Sequence, residues 1–431
     1  MTTSLPHASP RGDGADHTVA EIAQQPAVWR EIGADLTAAR AELDAFLGPL
    51  LAERELRIVL TGAGTSAFAG EVVRAALART TGRRVDAVST TDIVADPRAA
   101  FPDDVPTLLV SFARSGDSPE SVAATRLAEQ VLHRVHHLVL TCNSEGQLAR
   151  THRENAASQV LLMPAAANDR GFAMTSSFTG MLVACLLAFG ALDTGGVEAA
   201  AAAAEHLTAG GLDQDIDTLL ARRPERMVYL GSSSALKGLA HESALKLLEL
   251  TGGALVASAE SALGFRHGPK SVLTARTAVL VYVSNDPYTR RYDLDILAEL
   301  RADLAPGSVV AVTASLDGLP EDGSWLLPGL AGADDATLAL PAVLTAQLIA
   351  LRSSLAHGIR PDNPFPSGEV NRVVRGVTVH PLPGGRDGLA SPRPGKAERR
   401  NNDVSGCGRR RHQDGLLPDR QHGHRPGPGA G

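Results

Sequence analysis

Short β-branched runs recur along this chain, each followed by a turn rich in Gly and Ser and then by residues at helical spacing. Arg57-Ile58-Val59-Leu60 leads into a glycine turn and a predicted helix over 67–79. Thr107-Leu108-Leu109-Val110 leads into a Ser/Gly turn and a helix from Pro119, and His137-Leu138-Val139-Leu140 into Thr141 and another helix. Strands that alternate with helices predict a parallel sheet covered on both faces, the α/β class. Ahead of the first strand, Ile22, Val28, Trp29, Ile32, Leu36 and Leu43 stand at mixed spacings of three and four. With Pro26 interrupting that pattern, 17–53 reads as two helices or one kinked helix.

The alternation pauses over 196–212, an Ala-rich, Gly-bounded stretch read as a connecting helix over 197–207, and then restarts. Met227-Val228-Tyr229-Leu230 runs into Gly231-Ser232-Ser233-Ser234 and a helix over 235–251, and further strands fall at 278–283 and 309–312. Two units of similar layout, 54–195 and 213–382, predict an internal duplication. Residues 1–16 read as a frayed terminus. From Pro383 onward Val, Leu and aromatic residues nearly vanish while Gly, Arg, Pro and His crowd in. Such a segment buries too little apolar surface to offset chain entropy. It is expected to be a disordered, non-native tail, an out-of-frame or read-through extension past a natural end near Leu382.

Composition narrows the class further. With 44% hydrophobic and 21% charged residues in 431, the chain has ordinary globular usage. Cys142, Cys185 and Cys407 show neither disulfide nor metal-ligand spacing, and no apolar core follows a basic start as in a secretory signal. The longest apolar run read here, 181–192, is too short to span a bilayer. A cytoplasmic protein without membrane contact is expected. The net charge of −7 is uneven: 383–431 carry ten Lys/Arg against five Asp/Glu, leaving 31 against 43 for the body. An acidic body argues against a nucleic-acid partner; anionic ligands would need local positive sites.

Two loops could supply such a site. Gly62-Ala63-Gly64-Thr65-Ser66-Ala67 and Ser111-Phe112-Ala113-Arg114-Ser115-Gly116-Asp117-Ser118-Pro119 each lie after a strand and before a helix. Hydroxyls and free N–H groups at a helix N-terminus favour an anion, although Ser66 and Ser118 could equally be plain helix caps. The first loop also fits the loose dinucleotide fingerprint, which wants an acidic residue ending the second strand. Asp86, flanked by Val85, Ala87 and Val88, reads instead as a position inside a strand, and the dinucleotide reading loses weight.

Gly-x-Gly-Thr-Ser after one strand and Ser-Gly-Asp-Ser after the next resemble the sugar isomerase (SIS) domain family. The duplicated layout is similar to the isomerase half of glucosamine-6-phosphate synthase. Residues 168–177 (Asn-Asp-Arg-Gly-Phe-Ala-Met-Thr-Ser-Ser), 264–270 (Gly-Phe-Arg-His-Gly-Pro-Lys), 284–292 and 363–372 (Asn-Pro-Phe-Pro-Ser-Gly-Glu-Val-Asn-Arg) resemble the AgaS-type group of tagatose-6-phosphate ketose/aldose isomerases and galactosamine-6-phosphate deaminases. The resemblance spans roughly 17–382. It implies two tandem SIS domains, each a doubly wound, flavodoxin-like parallel sheet flanked by helices, acting on a small-molecule sugar phosphate without cofactor or metal.

It also implies roles. Gly64, Thr65, Ser66, Ser115, Gly116 and Ser118 would hold the phosphate, with Arg114 contributing a charge-assisted fork where Ala113 replaces a serine of the synthase. Glu249 matches a proton-transfer glutamate, Lys246 a lysine beside it, and His267 a ring-opening histidine that in the synthase reaches the partner subunit's site, which implies a homodimer. On spacing alone Glu242, Lys246 and Glu249 could be a solvated charge ladder. Asp169, Thr175 and Arg375 are sugar-binding candidates. Arg375 stands where the synthase has an imine-forming lysine, and a guanidinium cannot form that imine. Residue 2 is Thr2, so the cysteine nucleophile of a glutaminase is missing. The expected function is deamination with isomerisation of a hexosamine 6-phosphate, or aldose–ketose isomerisation of a hexose 6-phosphate; the alternative is a non-catalytic sugar-phosphate sensor.

Overall fold

The computed structural model describes residues 14–374 and 376–384. Arg375, the first 13 residues and all but the start of the 383–431 tail lie outside the described residues, and so do the expectations made for them.

Ten strands form two five-stranded sheets: β1 (Arg57–Thr61), β2 (Arg84–Ala87), β3 (Thr107–Ala113), β4 (Val135–Thr141) and β5 (Ser158–Leu162) in one, β6 (Arg226–Gly231), β7 (Val256–Glu260), β8 (Thr277–Tyr282), β9 (Val309–Thr313) and β10 (Ser324–Leu326) in the other. Their orders are β2-β1-β3-β4-β5 and β10-β9-β8-β6-β7, with every pair parallel. Counted from its own first strand, each sheet reads 2-1-3-4-5, so topology shows the duplication that residue identity hides. In this order the chain reverses direction across the sheet beside the first strand, which opens a crevice at the strand C-termini there. One such crevice lies between β1 and β3, the other between β6 and β8.

Strands β1, β3, β8 and β9 are buried along their whole length, which is why they read as continuous apolar runs. Edge strands β5, β7 and β10 are partly exposed and were not anticipated, because a short half-wet strand gives neither an apolar run nor a clean alternation.

The N-terminal residues form three helices, Asp16–Ala23, Gln25–Ala38 and Arg40–Ala52, rather than two or one kinked. Pro26 sits in the first turn of the second helix, where its missing N–H is not needed. The expected connecting helix is Thr194–Thr208. It packs against Gln25–Ala38 and Asp335–Ala356 with Ala200, Ala201, Ala203 and Ala204 buried, so it is a core element, not a linker. A further helix, Asp213–Ala221, precedes β6.

Helix Asp335–Ala356 is long and apolar enough to cross a membrane, yet 94% of its apolar window is buried inside the protein. Apolar all round and interrupted by Pro341, it offers no amphipathic period to read. It packs with helices Thr65–Thr81 and Ser234–Leu250, which lie on the first and second sheets respectively. At Gly238 an added Cβ would lie 2.8 Å from Glu71 Cβ. The missing side chain lets these two helices close and brings the end of Ser234–Leu250 over the loop that follows β1.

Candidate active site

The β1–β3 crevice holds a cavity of about 220 Å³ lined by Gly64, Thr65, Ser66, Arg114, Ser115 and Ser118 from the two loops, with Glu249 reaching in from the second half. Helices Thr65–Thr81 and Pro119–Val131 start there, and neither N-cap, Gly64 or Ser118, makes a side-chain capping bond. Both helix dipoles and the loop hydroxyls therefore face the cavity, the arrangement that suits a phosphate, although at the first helix the Ser66 and Ala67 N–H groups bond the Ala63 and Gly64 carbonyls (3.1 and 2.9 Å). The second loop is pinned from behind. Asn143 Nδ2 donates to the Ser115 carbonyl (2.9 Å), and Asp117 accepts the Gln147 N–H (2.9 Å). Asn143 carried no signal in the sequence.

The crevice between β6 and β8 differs in charge. Its cavity, about 410 Å³, is lined by Ser233, Asn285, Asp286, Asp334 and Asp335 with Arg79. All three helix N-termini there are closed by their own side chains. Ser233 accepts from Leu236 N–H (3.2 Å), Asp286 from Thr289 N–H (2.8 Å) and Asp334 from Thr337 N–H (2.8 Å). A phosphate would meet carboxylates where the first half offers donors. Asp86, the acidic residue a dinucleotide reading would need, is inside β2 and ion-paired with Arg57 (2.6 Å) and Arg84 (3.0 Å).

Glu242, Lys246 and Glu249 are no solvated ladder. Glu242 and Lys246 are fully buried and Glu249 is mostly so. The Lys246 ammonium lies 3.4 Å from Glu242, pairs directly with Glu249 and donates to Thr65 Oγ1 at 2.9 Å. One cation thus ties the carboxylate to the first turn of the loop helix. Burial alone would lower the Lys246 ammonium, but the two carboxylates outweigh it and raise it. Burial pushes the Glu242 carboxyl up from 4.5 to about 8 despite Lys246. Glu249 lies in the last turn of its helix, where the macrodipole disfavours an anion; Lys246 offsets that.

Arg114, Asp169, Thr175 and His267 are further expected site residues among the described ones. Arg114 is buried, not facing solvent, and bridges two walls by donating to the carbonyls of Phe172 (3.5 Å) and Arg372 (3.0 Å). Asp169 and Thr175 have an organising task. The Asp169 carboxylate accepts from Thr175 N–H (2.9 Å), Thr175 Oγ1 (3.0 Å), Ser176 N–H (3.0 Å) and Ser177 N–H (2.9 Å), and from the Ser177 hydroxyl. It caps the buried helix Ser176–Ala188, and Thr175 is outside the cavity lining. His267 is exposed on the turn between Ala262–Phe265 and Pro269–Val272 and is not among the residues lining the cavity that holds Glu249. Phe172, Met174, Asn371 and Arg372 line the cavity without having been assigned to it. Their segments, 168–177 and 363–372, were the signal.

Residues 50–191 match the model of the SIS domain. A Streptomyces coelicolor protein named "Putative D-galactosamine-6-phosphate deaminase AgaS" is 65% identical over 88% of this chain and 99% of its own. The D-galactosamine-6-phosphate deaminase AgaS of Shewanella sp. (strain ANA-3) is 43% identical over 86% and 93%. Among solved structures, tagatose-6-phosphate ketose/aldose isomerase from Escherichia coli superposes with a TM-score of 0.79 at 41% identity, covering 87% of this chain and 99% of that one.

Proposed function

This chain belongs to the AgaS group of SIS-domain proteins, and from that premise we propose that it is an enzyme that converts galactosamine 6-phosphate and water to tagatose 6-phosphate and ammonia. The observation that carries this reading is the Lys246–Glu249 pair held beside the two uncapped helix N-termini in one cavity. A sensor would need the loops alone; a buried, lysine-held carboxylate facing the same space is equipment for moving a proton.

Thr65, Ser66, Ser115 and Ser118, with the loop N–H groups, hold the phosphate and fix the distance to the sugar carbons. Once the ring opens, the Glu249 carboxylate takes the proton from C2, and the electron pair forms the C1–C2 double bond of an enolamine as the aldehyde oxygen is protonated. Returning that proton to C1 leaves an iminium at C2. Water adds there, the C–N bond breaks, and the ketose phosphate and ammonia leave. A single carboxylate placed over both carbons can serve both transfers as general base and then general acid. Lys246 stays protonated throughout and keeps Glu249 oriented. His267, which is exposed and does not line its own chain's cavity, would open the ring from a second copy of the chain, and on this reading the enzyme works as a homodimer. The same proton transfer on a hexose 6-phosphate, without the C–N bond, is aldose–ketose isomerisation.

Ammonia release measured in parallel with galactosamine 6-phosphate and glucosamine 6-phosphate tests the reading. Release with a preference for the first supports it; no release from either sugar by folded protein, together with interconversion of tagatose 6-phosphate and an aldose, moves the function to pure isomerisation.

A further inference from the structure

Two walls of the cavity are irregular: 168–175 brings Phe172 and Met174, and 361–374 brings Val370, Asn371, Arg372 and Val374. Phe172 packs against Phe365 across them with rings tilted, centroids 5.1 Å apart. Both walls are fastened to the first helix, Asp16–Ala23. At its N-terminus Asp362 accepts the N–H of His17 (3.1 Å), the N–H of Thr18 (2.8 Å) and the Thr18 hydroxyl (2.7 Å), and donates its own N–H to Gly14 (2.8 Å). One turn on, the buried Glu21 carboxylate accepts the N–H of Arg170 and the N–H of Gly171, the latter at 3.1 and 3.2 Å. The approach is so close that a Cβ at Gly171 would lie 2.8 Å from Glu21 Oε2.

We propose that Glu21 is a positioning residue for the reaction: its ionised carboxylate holds 170–171 so that Phe172 and Met174 close the substrate cavity, and protonation releases that wall. The chemistry follows from donor counting. Ionised, Glu21 accepts charge-assisted bonds from both N–H groups, Oε1 taking both and Oε2 sharing that of Gly171; the neutral acid keeps only weaker, uncharged bonds through one oxygen. The balance is set near working pH. Burial raises the Glu21 carboxyl most and Asp169 raises it further; the Arg170 and Gly171 N–H groups lower it, Asp362 raises it slightly, and the outcome is about 7. The Arg372 guanidinium, which donates to the Asp169 carbonyl, is the cation facing this group. The proposal rests on the cavity being the amino-sugar phosphate site, so its test has one readout that does not depend on activity.

Glu21→Gln is an uncharged stand-in for the protonated state. Backbone amide exchange at 170–175, corrected for the intrinsic effect of pH, is measured in wild type at pH 6 and 8 and in Glu21→Gln at pH 8. Wild type at pH 6 and the variant at pH 8 are expected to exchange there about fivefold or more faster than wild type at pH 8, with the two sheets unchanged. In parallel, the wild-type to variant ratio of kcat/KM for ammonia release is expected to rise about fivefold or more from pH 6 to 8 through one ionisation, carried by KM. Equal exchange in wild type at both pH values, or a ratio constant with pH, overturns the proposal. Wild type that releases no ammonia defeats the functional reading, and the exchange result still decides Glu21.

Discussion

Lys246 stands between two carboxylates that differ in their access to water, and that difference divides their labour. Glu242 is sealed, and its carboxyl is raised from 4.5 to about 8 by burial. The folded chain therefore holds a proton that the unfolded chain gives up above pH 4.5. The stability this proton contributes is complete below 4.5 and is lost as pH rises to about 8. Relative to wild type, Glu242→Gln should gain melting temperature steadily from pH 5 to about 8 and level off beyond; a difference independent of pH would refute this protonation state. Lys246→Met removes the cation between the carboxylates and should cost about 3 kcal/mol or more in denaturant unfolding at pH 8, where an unpaired buried charge is left behind. In the proposed phosphate site, Ser66→Ala deletes one hydroxyl offered to a charged group. It should raise KM about 10-fold, in line with about 1.5 kcal/mol for such a bond, with kcat nearly unchanged; a loss confined to kcat would place Ser66 elsewhere in the mechanism.

Helix N-termini separate the two halves functionally. The first half leaves Gly64 and Ser118 without side-chain caps, while the second closes its equivalents with Ser233, Asp286 and Asp334. Calorimetric titration with the sugar phosphate should therefore give one site per chain, and Asp286→Ala should cost about 1 kcal/mol of stability with no effect on that stoichiometry; two sites per chain would contradict the assignment. The central strands, the loops after β1 and β3 and the Glu242–Lys246–Glu249 spacing were legible in the sequence, because a buried parallel strand is a continuous apolar run and each loop is a local stretch of Gly and Ser. Helix Asp335–Ala356, the edge strands and the division of 17–53 into three helices were not, since their signals depend on neighbours distant in sequence. The same holds for Asp169, which by residue type suggests a ligand contact and by structure satisfies five local donors, and for Glu21, whose partners at 170 and 171 lie about 150 residues away.

At the scale of the whole molecule, one cavity draws on both halves: the two Gly/Ser loops from the first, the carboxylate from the second, and a wall fastened to the first helix. His267 alone among the expected proton-moving groups is turned outward. If a second copy supplies it, mixing inactive Glu249→Gln with inactive His267→Ala chains should restore about a quarter of wild-type sites through mixed dimers; no recovery after verified subunit exchange would place both residues in one subunit's site. The central claim concerns Glu249, and its most direct test is Glu249→Gln examined for binding and turnover together. The account predicts that the variant binds galactosamine 6-phosphate within about threefold of wild type while ammonia release falls about 10³-fold or more. Ammonia release close to wild type in a variant that binds normally would contradict it.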